Sequence, residues 1–145
     1  MIIEIIPYSK FGPLSFGITT KGECELLFGE PLKKRTNRKG IQELEYEQFI
    51  VRFDPTTLTL RECTLLPRAG ATVNGILITW DKNFLRLACE QDQDPRDVYG
   101  FIVLTRLGIA ITGVHEDDES QLAVTVFSKG DFDDLLPEST PYIFS

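Results

Sequence analysis

The densest set of potential ligands and proton carriers is GVHEDDESQLAVTVF, residues 113–127. There the chain's one histidine, His115, is followed by Glu116, Asp117, Asp118 and Glu119. Imidazole with carboxylates is a donor set for a metal, and an imidazole beside a carboxylate can carry protons. Either role needs groups that converge from a rigid frame. Consecutive loop residues point in different directions and stay hydrated. A calcium loop sets carboxylates at alternate positions around a glycine, and HEDDES has neither feature. If His115 closes one strand and Gln121 opens the next, the connection is a hairpin loop of about five residues. The expectation is a solvated acidic turn whose charge is available to a partner, with no metal held there.

Other chemistry finds less support. Cys24, Cys63 and Cys89 are widely spaced, form no C-x-x-C and sit among apolar neighbours, so they read as small core hydrophobes. The chain has no G-x-S-x-G, G-x-G-x-x-G, H-E-x-x-H or phosphate-binding loop. Carboxylates abound, but nothing in the sequence gathers a pair into a cleft, as raised pKa values would require. No catalytic residue and no cofactor is expected. Trp80 reads as a core residue.

Charge is distributed unevenly. Residues 1–66 carry 9 acids and 9 bases; residues 67–145 carry 13 acids and 6 bases, which accounts for the whole net charge of −7. Phosphate would be repelled from that second half, which argues against nucleic acid; a basic protein would be attracted and steered. Besides the turn, the acids fall in DFDDLLPE (Asp131, Asp133, Asp134, Glu138) and EQDQDPRD (Glu90, Asp92, Asp94, Asp97). The opposite run, KKRTNRK at 33–39, has five bases in seven positions and no interleaved aromatic; it reads as a solvated loop or hairpin tip.

The elements that must carry these groups are legible from periodicity. In TTKGECELLFGEP (19–31), Thr20 and Glu23 form a capping box and Cys24, Leu27 and Phe28 an apolar stripe. Gly29 and Pro31 then end a helix of about two turns. Strands follow at 41–46, 48–53 and 57–66. PRAGATVNG interrupts, and a second helix begins at Asp81 with Phe84, Leu87 and Ala88 on its apolar face. Residues 100–114 give two strands broken near Arg106–Gly108, and 121–127 a third. The opening MIIEIIPYSK reads as a short strand ended by Pro7 and not as a signal peptide. No apolar run approaches the roughly 18–20 residues of a membrane span. A cytoplasmic protein is expected, with no membrane partner.

FGPLSFGITTKGECELLFGEP resembles the signature of a small repeat shared by SmpA-type outer-membrane assembly lipoproteins and β-lactamase inhibitor proteins. The matching positions are Gly17, Thr19, Glu23, Leu27, Gly29 and Pro31; Ile78 to Pro95 matches less closely and lacks the glycine before the proline. The opening does not read as a leader with a lipidation cysteine, so a departure from the lipoproteins in location is expected. The resemblance implies tandem helix-plus-sheet units that bind proteins through an open sheet face. Small size and acidity are also similar to immunity proteins that neutralise bacterial toxins.

The expected fold is α+β in a single domain, 1–145. Two similar units (about 10–67 and 72–128), each a helix with three or four antiparallel strands, would form one extended sheet with the short helices on one face. The other face would be free, and residues 129–145 would form a tail. The expected function is non-catalytic: an immunity protein that covers a basic toxin or effector domain through Glu116, Asp117, Asp118, Glu119, Asp131, Asp133 and Asp134. The second expectation is a small structural or assembly module of a larger complex.

Overall fold

Alternation of buried and part-exposed residues, as in FIVRF at 49–53, turns the better-patterned segments of this chain into strands. The computed structural model describes residues 2–144 and is α+β, with two helices and two mostly antiparallel sheets. The first half runs β1 (Ile3–Ile6), β2 (Lys10–Phe11), β3 (Leu14–Ser15), α1 (Lys21–Phe28), β4 (Lys33–Thr36), β5 (Gln42–Glu45), β6 (Phe49–Phe53) and β7 (Leu60–Leu65). The second runs β8 (Ala71–Val73), β9 (Ile76–Leu77), α2 (Lys82–Asp92), β10 (Arg96–Val98), β11 (Phe101–Leu104), β12 (Ile109–Thr112), β13 (Ala123–Phe127) and β14 (Thr140–Pro141).

The nine-stranded sheet is ordered β14-β10-β11-β12-β13-β7-β6-β5-β4 and is antiparallel throughout. Its seam is β7 against β13, where Cys63 faces Val126 and Thr64 faces Thr125. Directly opposed residues share a sheet face, so each register assigns two faces. The inner face carries Val51, Phe53, Cys63, Leu65, Val124, Val126, Ile109 and Ile111, all buried. The five-stranded sheet and both helices pack into the same core, through Ile5, Phe11, Leu14, Cys24, Phe84, Leu85 and Ala88 among others. Each fully buried large apolar side chain contributes about 1.5–3 kcal/mol. No described helix is long and apolar enough to cross a membrane.

Four expectations need correction. Two sheets replace the single extended one, because residues 3–15 and 71–77 form a separate sheet, β3-β2-β1-β8-β9, with β1 and β8 parallel. Its strands are two to four residues long, too short for a period to register. PRAGATVNG therefore holds a strand, and Asn74–Gly75 (φ 48° and 85°) makes the tight turn into β9.

The helical stripes are also narrower or rotated. α1 has the foreseen capping box, yet it buries only Cys24 fully, while Leu27 is 56% exposed. On α2, Leu85 and Cys89 face the core in place of Leu87. The basic run is an edge strand, β4, as well as a tip, and charged edge residues discourage further strand pairing.

Finally, the outer face is not free. Residues 128–139 cross it, placing Phe132 and Leu136 over a second apolar cluster of Val98, Val103, Ala110 and Phe127. Beyond the crossing, β14 pairs with β10, and Tyr142 and Phe144 turn in against the main core.

Candidate functional site

The acidic turn joins β12 to β13 and spans ten residues, 113–122, about twice the expected length. Its fold is fixed by backbone and small polar groups. Gly113 has φ 84°, and a Cβ there would lie 2.6 Å from the Leu122 nitrogen and 2.7 Å from the Asp118 oxygen. Only glycine fits. Thr112 Oγ1 donates to the Gln121 carbonyl at 2.6 Å, and the Ser120 N–H and hydroxyl both donate to Asp118 Oδ1, at 3.0 and 2.6 Å. Asp118 is thus the cap of a short 3-10 turn at Glu119–Gln121.

Its neighbours do point outward. Glu116, Asp117 and Glu119 are exposed, and Asp117 meets Lys82 of α2 at 3.0 Å. His115 turns the other way, edge-on to the Tyr142 ring at 5.8 Å, with Nε2 3.3 Å from Glu116 and Nδ1 buried without a partner. Among the described residues no three His, Cys, Asp or Glu side chains come together as a metal would require.

The second acidic stretch behaves differently. Asp133 and Asp134 are exposed, but the Asp131 side chain is only 5% exposed and accepts from Arg61 Nε at 2.8 Å. It sits on the outer face with Glu62 of β7, and the two residues line one cleft. Asp131 is therefore not displayed for a partner. These two residues, 69 positions apart in sequence, are a grouping that nothing in the sequence indicated. Burial and the hydrogen bond with Asp131 push the Glu62 carboxyl up to about 7, against the pull of Arg52 and Arg61.

Arg52 organises the rest of this network from β6. Its Nε donates to Glu43 at 2.5 Å, and one Nη donates to Glu62 at 3.0 Å and to Thr64 at 2.6 Å. Register explains the row: Glu43 opposes Arg52, which opposes Glu62, which opposes Phe127, all on the outer face. Above them opens a cleft of about 470 Å³, walled by Arg38 and Lys39 from the β4–β5 tip and by Phe132 and Leu135 from the crossing segment. Chemically, Glu62 is the group here whose burial favours its protonated form.

No sequence signal marked Glu62, which lies in an unremarkable strand, LRECTL. Only the opposition of Arg52 and Glu62 across paired strands could have hinted at it. A third acid also leaves the solvated set: Asp92 is fully buried, and its Oδ1 accepts from the Arg106 and Leu107 N–H groups at 2.8 and 3.2 Å. The three cysteines are buried and unbridged. Burial pushes Cys24 and Cys89 up to about 11 and raises Cys63 as well, the reverse of an activated thiolate.

No protein-family model matches this chain, and no curated protein and no solved structure matches it.

Proposed function

We propose that this is a cytoplasmic, non-catalytic protein that acts by stoichiometric binding to a cationic protein, in the manner of an immunity protein covering a basic toxin or effector domain. One observation carries it. Residues 113–145 hold eight carboxylates and one lysine, and among the described residues Asp118, Glu119, Asp133, Asp134 and Glu138 form no ion pair. Such a field attracts a basic partner and raises its association rate. The binding rim is drawn at Glu116, Asp117, Glu119, Asp133 and Asp134; Asp131 and Asp118 hold the protein's own structure.

The test is co-expression with a lethal secreted effector encoded beside it. Rescue is expected, and it is expected to fail when Glu116, Asp117 and Glu119 are all replaced by lysine. Affinity for the purified effector should fall steeply with added salt. Rescue that survives the triple reversal, or binding indifferent to salt, would remove the electrostatic basis. A different observation favours an assembly module. Leu26 is 88% exposed on α1, and Ile18 and Leu32 on its flanks are exposed too, an apolar surface of the kind that docks. On that reading Leu26→Lys disrupts association and the acidic reversals do not.

A further inference from the structure

We propose that residues 128–139 are a strap across the outer sheet face, locked by one proton held between the carboxyl groups of Glu62 and Asp131 and loosened when that proton leaves. The strap is attached in an unusual way. Ser128 N–H donates to the Arg61 carbonyl at its start, and β14 pairs with β10 beyond its end. Between them, the backbone hydrogen bonds of residues 129–139 all run within the strap itself, as in Asp131 to Ser128, Leu135 and Leu136 to Phe132, and Ser139 to Leu136. Side chains alone hold it to the sheet. Phe132 stacks on Phe127 at 4.3 Å, Arg96 of β10 donates to the Ser139 hydroxyl and carbonyl at 2.9 and 3.1 Å, and Asp131 pairs with Arg61.

The Asp131 anchor is incomplete without a proton. Its Oδ1 is satisfied by Arg61, but Oδ2 is buried and has no donor among the described residues. The neighbouring carboxyl of Glu62 is bonded to Arg52 at 3.0 Å. A proton on Glu62 supplies the missing donor and leaves one negative charge between Arg52 and Arg61. Two ionised carboxylates would leave a buried acceptor orphaned and two like charges side by side. The charged groups facing the pair are Arg52 of β6 (itself held by Glu43 of β5), Arg61 of β7 with Asp54 at 3.9 Å, and Arg38 and Lys39 lining the same cleft. Phe127, opposite Glu62 on β13, adds no charge. A position for the Glu62 carboxyl at about 7 agrees with this geometry. Loosening would uncover Val98, Val103, Ala110 and Phe127, so the proton decides whether this part of the face is closed.

Amide hydrogen exchange of the strap at pH 5.5 and 8.0, corrected for intrinsic rates, tests the lock in the intact chain. Protection at Asp131, Leu135 and Leu136 is expected to fall on the order of tenfold between the two pH values. In Glu62→Gln, whose amide donates to Oδ2 at any pH, it is expected to stay constant. An equal loss in both proteins, or none in the wild type, overturns the proposal. Should Glu62→Gln fold poorly, the carboxyl carbon-13 shift of Glu62 in the wild type decides: a midpoint near 7 supports the lock, and one near 4.5 sinks it.

Discussion

HEDDES at 115–120 and DFDD at 131–134 are close in composition, both dominated by acids within the same acidic end of the chain. The first is a hairpin connection whose carboxylates mostly face water, and its shape is set by Gly113, Thr112 and Asp118. The second passes over the sheet, where Arg61 waits on β7, and there Asp131 becomes the buried half of an ion pair while Phe132 stacks on Phe127. Identical residue types thus acquire opposite roles according to what lies beneath them. A charge run reports solubility; an ion pair needs a counter-charge from a distant strand. The first stretch leaves most of its charge in water, and the second ties one of its acids, Asp131, into the molecule's own structure.

The sharpest way to break this contrast is at the glycine. Gly113→Ala places a Cβ against backbone atoms at 2.6–2.7 Å with φ 84°, and a loss of about 3 kcal/mol is expected in urea unfolding. A value below about 1 kcal/mol would mean that the acidic turn has no fixed shape to present. Next comes the strap. Asp131→Ala leaves Arg61 without its principal partner, and a loss of about 2 kcal/mol is expected, whereas Phe132→Ala removes the aromatic stack at similar cost.

The pH profile sharpens the comparison further. Folding raises the Glu62 carboxyl from 4.5 to about 7, so the native chain binds more protons between those values. The stability from the shared proton is fully present below about 4.5 and is lost as pH rises to about 7. The wild type should therefore lose ground to Glu62→Gln across that window and hold a constant difference above it; parallel curves throughout would contradict this. The smallest effect is expected at the turn's outer carboxylates. Asp117→Ala, at a residue whose side chain is 75% exposed, should change stability by no more than about 0.5 kcal/mol while slowing association with a basic partner.

Much of the framework was legible before any coordinates. The capping box of Thr20 and Glu23, the exit at Gly29 and Pro31, the alternation in β6 and the break at Arg106–Gly108 are local signals, and each stands where the residues placed it. The second sheet was hidden because two-residue strands such as Lys10–Phe11 have no period to read. Asp92 and Asp131 were misjudged as solvated because neighbours in sequence say nothing about a donor arriving from Arg106, Leu107 or Arg61.

By itself the sequence determined where helices start and stop, which strand faces are apolar, and that negative charge gathers toward one end. Those properties depend on residues within one or two turns of each other, where propensity and periodicity act directly. Which carboxylates stay in water, which become paired, and that Glu62 and Asp131 come to share a cleft were decided only when β7 and the strap met. Burial and counter-charge are properties of the assembled face, and the chain order alone does not contain them.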